Sequence, residues 1–341
     1  MSESGDYSGS EWSGHDFRGA YDRYDRHAGR SYADAKASGK AAGDLIPERL
    51  TTVSPSPLVI RCDVTGSMHE APKTMFAKLP LLAHEVRTEY LGEHAELSFG
   101  AIGDATCDSY PMQLRPFAAL TAPPKRVAKT PWEDPEIAKR LQELVIEGGG
   151  GGQQTESYEL TALYDARLIE MPNAVRPIWI GIGDEMPYPE TNLDEVQRLC
   201  RIHLDRALPT ADVFAELQRK FAVYFIQLPY NGEVGVRDGM TEDTRKIRAR
   251  WVKLLGEDRV AMLLDPSRIV DVILGILATE TGRVGYFRGE LEGRQDPNQV
   301  ETVYKSLATV HRLPADAQKQ LGSGKSTLHR PTGGTRGKGL L

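Results

Sequence analysis

Five nearly all-apolar runs, spaced along the middle of the chain, constrain its fold more than any other feature. They are "LVIRCD" (58–63), "AELSFGAIG" (95–103), "RPIWIGIGD" (176–184), "FAVYFIQLP" (221–229) and "RVAMLLD" (259–265). A strand with one wet face alternates apolar and polar residues. Runs this continuous are buried on both faces, the habit of parallel strands covered by helices. The stretches between them carry helical periodicity. Met68, Pro72, Met75, Leu79, Leu82 and Val86 share one helical face, with Pro80 expected to kink or break it. Further helices are expected in "DPEIAKRLQELVIE", in "ESYELTALYDARLIE", around 192–205, 210–220 and 241–256, and in "PSRIVDVILGILATET", with "PMQLRPF" as a short edge strand. Strands alternating with helices predict a doubly wound α/β domain over residues 55–285, its mostly parallel sheet carrying helices on both faces.

The flanks differ in texture. Residues 1 to about 44 are rich in Gly, Ser, Asp, Arg and Tyr and poor in aliphatics, so residues 1–50 are expected to be a disordered or partner-binding segment. One pattern within it points the other way. Phe17, Tyr21, Tyr24, Ala28 and Tyr32 recur at helical spacing and could fold against a surface. Residues 286–321 read as a helical extension, carried by the single helix "DPNQVETVYKSLATVHRL". Residues 322–341 read as a basic, glycine-rich tail.

The 341-residue chain is 40% hydrophobic with a formal net charge of −6, enough for a sizeable core and a poor match to nucleic acid. Cys62, Cys107 and Cys200 lie far apart and form no CxxC pair, which suits a reducing compartment and gives no thiolate metal site. The first residues lack a basic start followed by an apolar stretch, and no run approaches the length of a membrane span. The expectation is a cytoplasmic protein without membrane or nucleic-acid contact.

The chemistry gathers where the apolar runs end. Asp63, Thr65 and Ser67 follow the first run at alternate spacing, so a tight loop eased by Gly66 can turn three oxygens to one point. Thr155 follows the glycine run Gly148–Gly152 and is expected to open a helix. Asp184 directly follows "IWIGIG". In open α/β sheets, ligands sit at the carboxyl ends of the strands, where strand order reverses. Two carboxylates and three hydroxyls form an all-oxygen set suited to Mg²⁺ or Mn²⁺ rather than zinc, with too few ligands to close an octahedron.

These motifs resemble those of a von Willebrand factor A domain with a metal-ion-dependent adhesion site. The likeness covers roughly residues 57–285 and is greatest to the intracellular bacterial form. Asp63, Thr65 and Ser67 match the first motif, with Thr65 where Ser is commoner; Thr155 and Asp184 match the second and third. The resemblance implies that the hydroxyls contact the metal directly or through water and that the acids bind partly through water. It also implies a non-enzymatic interaction module whose protein partner supplies an Asp or Glu, commonly beside an AAA+ ATPase or a kinase/phosphatase system. Gln153-Gln154 lengthens the second motif, and Glu185 stands where glycine is more usual.

Blander readings remain for each residue. Ser67 or Thr155 could simply cap a helix, Asp184 could be an ordinary strand-end acid, and Asp104 reads as a solvated turn. A Mg²⁺-dependent phosphohydrolase is the alternative function, but it needs an acid where Thr65 stands. "GSGKST" (322–327) lacks the glycine of a phosphate-binding loop, having Lys319 in its place. Cys62 reads as a small buried hydrophobe.

Overall fold

Every residue of strand β1 (Pro57–Asp63) is buried, and its place in the sheet is the reason. In the computed structural model, which describes residues 17–120, 135–147, 154–235 and 238–310, β1 has a parallel neighbour on each side. One is β2 (Glu96–Ile102), which also pairs antiparallel with the short β3 (Met112–Leu114) and β4 (Ala118–Ala119). On the other side β5 (Ile178–Gly183), β6 (Ala222–Gln227) and β7 (Val260–Met262) follow, all parallel. The seven-stranded sheet therefore runs β7-β6-β5-β1-β2-β3, with β4 also on β2. The chain builds outward from β1 in one direction, then returns to build in the other. Strand order reverses between β1 and β5.

Helices cover both faces. One layer contains α1 (Phe17–Ala37), α2 (Glu70–Ala77), α3 (Leu79–Glu85), α4 (Pro135–Gln142), α8 (Ile269–Thr281), α9 (Val284–Arg294) and α10 (Pro297–Ser306). The other contains α5 (Tyr158–Leu168), α6 (Thr210–Gln218) and α7 (Glu242–Leu255). Alternate residues of β1 feed the two cores: Leu58, Ile60 and Cys62 enter the first and Val59 the second. Cys62 is the small buried hydrophobe expected of it. No helix among the described residues is long and apolar enough to cross a membrane.

Two expectations are corrected and one is met. Residues 17–37 are not a disordered tail: they form α1, with Ala20 and Tyr24 buried. The Tyr24 ring lies 5.8 Å from that of Phe76 in α2, and Asp25 pairs with Lys73 at 2.9 Å. The aromatic helical spacing outweighed the polar composition because the rest of the domain supplies the apolar surface α1 needs. The Met68–Val86 face is broken beside Pro80, as expected. It breaks at Lys78, between α2 and α3, which places Pro80 in the first turn of α3, where a missing N–H costs little. Finally, the expected boundary at 285 falls inside one packing unit. Phe287 and Leu291 of α9 and Val300 and Val303 of α10 join the same core as α8. Helix α9 escaped the sequence reading because Gly285, Gly289 and Gly293 lower its intrinsic propensity, which burial of its apolar side overrides. The expected glycine run and basic tail lie outside the described residues.

One buried ion pair fastens the second layer to the sheet. Arg61 is fully buried in β1; its Nε donates to Asp165 Oδ2 at 2.8 Å and its Nη2 to Asp165 Oδ1 at 3.0 Å. Nη1 donates to Ser98 O and Oγ, and the Trp179 indole donates to Asp165 Oδ2 at 2.7 Å. Gly100 makes room for this: a Cβ there would sit 2.8 Å from Arg61 Cδ. Asp165→Ala is expected to cost about 3–5 kcal/mol by urea unfolding, because it strands a desolvated guanidinium, whereas an apolar replacement of both partners should cost much less.

A second buried acid sets a pH dependence. Glu85 of α3 is 5% exposed, and burial raises its carboxyl to about 7 despite the opposing charge of Arg294 and a hydrogen bond from Tyr286. A folded-state value above the unfolded one means that folding takes up a proton. This contribution is fully present below the ordinary glutamate range and is lost as pH rises through about 7. Denaturation midpoints should therefore fall between pH 5 and pH 8, and less steeply in Glu85→Gln.

Candidate metal centre

Strand β1 delivers Asp63 to the carboxyl end of the sheet with its side chain fully buried. Asp63 Oδ1 accepts hydrogen bonds from Thr65 N at 2.8 Å and Thr65 Oγ1 at 2.7 Å, and Oδ2 accepts one from the Tyr158 hydroxyl at 3.2 Å. The carboxylate thereby folds the next residues into a turn that leads through Gly66–Met68 into α2. Thr65 is the N-cap residue of that turn by position but makes no side-chain cap, because its hydroxyl is turned back onto Asp63. Thr65 is thus a turn residue closed onto Asp63. Ser67 lies in the turn, and its side chain is outside the described residues.

Asp184 arrives from the neighbouring strand. Cys62 pairs in register with Ile182, so Asp63 and Asp184 leave adjacent strand ends at the reversal of strand order. Asp184 is 1% exposed, and its Oδ2 accepts from Asn231 N at 3.0 Å. Asn231 takes a left-handed conformation (φ 53°) in the Tyr230–Gly232 turn, which lies against the Gly66–Met68 turn. Burial, and then the charge of Asp184, raise the Asp63 carboxyl to about 7.

Thr155 does not open a helix, contrary to expectation. It forms a two-residue strand with Glu156 that pairs with Met186–Pro187, and α5 begins only at Tyr158. The Thr155 hydroxyl hydrogen-bonds with Tyr188, which in turn donates to Asp104 at 3.0 Å. Thr155 is thus tied through Tyr188 to Asp104, just past the end of β2. Asp104 is not a solvated turn either. It is 1% exposed, and its Oδ1 accepts from both Thr106 N and Thr106 Oγ1, at 2.9 and 2.8 Å. Asp-x-Thr at the end of β2 repeats the Asp63–Thr65 geometry at the end of β1.

Two acids that the sequence reading left in the background complete the rim. Glu156 is 3% exposed; burial, then Asp63 and Glu185, push its carboxyl to about 11. Glu185 is raised to about 8 by burial and then by Asp63 and Asp184. Glu156 Oε2 and Glu185 Oε2 have no hydrogen-bond partner among the described residues. The charges that act most on Asp63, Glu156 and Glu185 all come from other carboxylates. Trp251 fixes this segment by donating to Glu185 O at 2.8 Å. Among the described residues, no three His, Cys, Asp or Glu side chains lie close enough together to hold an ion by themselves. Any ion here would need the hydroxyls. Thr65 Oγ1 spends its proton on Asp63 and keeps its lone pairs, so the donor chemistry fits a hard cation.

No protein-family model matches the chain, and no curated protein matches it. Among solved structures it is similar to the pilus adhesin SpaC from Lactobacillus rhamnosus GG, at 10% identity and a TM-score of 0.41, over 73% of this chain and 32% of that one. The open conformation of SpaC gives 9% identity and 0.43, over 73% and 31%. Proximal thread matrix protein 1 from the mussel byssus gives 12% identity and 0.39, over 67% and 48%. The chain spans less than half the length of each of these matched chains.

The contact between Tyr158 and Asp63 exists because residue 183 has no side chain. A Cβ on Gly183 would stand 1.9 Å from the Tyr158 hydroxyl oxygen. The Tyr158 ring is held edge-on against Trp251 and Phe225 and cannot retreat freely. Gly183→Ala should destabilise the fold by about 1–3 kcal/mol. Combining it with Tyr158→Phe should cost less than the sum of the two, measured as a double-mutant cycle in urea.

Proposed function

We propose that the chain is a non-enzymatic, cation-dependent protein-binding module of the von Willebrand factor A type. In this reading Asp63, Thr65, Ser67, Thr155 and Asp184 hold one Mg²⁺ or Mn²⁺. The observation that carries it is the buried acid at the reversal of strand order: Asp63 is fully buried and the charges acting most on it and on neighbouring Glu156 are other carboxylates. Acids desolvated against one another are stable when a cation joins them. The strand order, which reverses at β1, supports the doubly wound arrangement that goes with this site.

When bound, the ion supplies an electrophilic position for one carboxylate oxygen of another protein. The residues of this chain orient and limit it. Thr65 and Tyr158 hold Asp63 in one rotamer, and the Asn231 amide holds Asp184. Neutral hydroxyl ligands would leave the ion under-neutralised, which favours an incoming Asp or Glu. The partner class that goes with the family is an AAA+ ATPase or a kinase/phosphatase assembly.

Calorimetry with Mn²⁺ and Mg²⁺ tests the reading. One ion per chain is expected for the native protein, with binding lost in Asp63→Ala and in Asp184→Ala while far-UV circular dichroism is kept. Unchanged affinity in both folded variants would remove the site.

A further inference from the structure

Arg115 presents the same problem as Arg61 with a different outcome. It follows β3, is 7% exposed, and has burial as the main influence lowering its pKa. Arg61 meets a carboxylate squarely; Arg115 has none within ion-pair distance among the described residues, although the Glu143 charge partly offsets its burial. Its Nη2 donates to Glu143 O at 2.8 Å and its Nη1 to Leu114 O at 3.4 Å, while its Nε–H is buried without an acceptor. A desolvated guanidinium whose hydrogen bonds go only to carbonyls is better satisfied when an anion completes it.

The surroundings offer room for one. Arg115 lines a cleft of about 450 Å³ between the C-terminal half of α1, the turn at 40–45 and residues 142–145. That volume falls in the range of small-molecule sites, about 300–1,000 Å³. The acids on its walls are already engaged. Asp34 lies 3.8 Å from Arg30, Asp44 Oδ2 accepts from Ala41 N at 2.8 Å, and Glu143 pairs with Arg140 at 3.4 Å and with Lys139 at 3.9 Å. Lys40, also on the wall, has no side-chain partner among the described residues. His27 is taken by Leu144 O at 2.9 Å. Arg115, whose Nε–H has no acceptor among the described residues, and Lys40 therefore line one cleft with only the shared charge of Glu143 set against Arg115.

We propose that this cleft binds a small oxyanion-bearing molecule, a phosphate monoester or a carboxylate, with Arg115 as its buried anchor and Lys40 at its mouth. The planar fork of Arg115 suits either oxyanion, and the Gln142 amide on the wall suits a polar remainder, the Ser31 and Ser38 hydroxyls being bonded to Ala28 O and Ala35 O. The site is separate from the candidate cation centre. Arg115 N donates to Phe99 O, mid-strand at the β3 edge of the sheet, whereas the acidic rim lies past Asp63 and Ile102.

Calorimetric titration of the full chain with inorganic phosphate, phenyl phosphate and acetate tests this, in EDTA so that no cation elsewhere contributes. Saturable one-site binding is expected, about tenfold weaker in Arg115→Gln and about threefold weaker in Lys40→Ala. A phosphate response exceeding that to acetate assigns the phosphate class, and the reverse assigns carboxylates. Should Arg115→Gln fail to fold, Lys40→Glu, which leaves the core untouched, decides: it must weaken binding more than Lys40→Ala does. No saturable binding of any probe to the native chain, or equal binding in the native and Lys40→Glu proteins, overturns the proposal.

Discussion

The bidentate pair between Arg61 and Asp165 is the constraint around which the site is organised. Arg61 and Asp63 are two residues apart on β1 and so point to the same face, and both are met by α5. Asp165 takes the guanidinium, and Tyr158, seven residues earlier on that helix, donates to Asp63. Helix α5 is therefore fixed at two heights along the central strand, one by charge and one by a hydroxyl. The expense of desolvating Arg61 is offset only because Ser98 and Trp179 satisfy what remains of the pair. Gly100 and Gly183 provide the clearance, one for Arg61 and one for Tyr158.

Much of this was legible in the residues. The unbroken apolar runs mark strands covered on both faces, and their order with intervening helices is enough for the sheet and its two layers. Asp63 and Asp184 were found because an acid after an apolar run is a local signal. Thr155 was located by motif order but misjudged in structure, because pairing with Met186–Pro187 is a tertiary event with no local signature. Tyr158, Asn231 and Tyr188 were missed for the same reason. Asp104 did carry a signal: "DAT" after a strand repeats the "DVT" of residues 63–65, and the comparison of the two would have singled it out. In residues 17–37 polar composition pointed to disorder and aromatic spacing to a helix, and the partners that decide between them lie elsewhere in the chain.

The two electrostatic extremes of the domain are handled in opposite ways. At the carboxyl end of the sheet, acids are crowded until burial and mutual repulsion raise Asp63, Glu185 and Glu156 into or above the neutral range. At the β3 edge a guanidinium is buried with hydrogen bonds to carbonyls and the charge of Glu143 acting on it.

The central position of β1 also governs the order of assembly. β1 is among the first strands to be made, yet its partner β5 begins only at residue 178. Until then a fully buried, mostly apolar strand has one open edge, the condition in which nascent chains associate wrongly. Helix α1 waits as well, for α2 and for the Leu144 and Ile146 backbone that His27 and Ser31 contact. Its outer surface is polar, so its delay carries little hazard. During synthesis the vulnerable interval of this protein is thus the stretch between its second and fifth sheet strands, and chaperone demand should concentrate there.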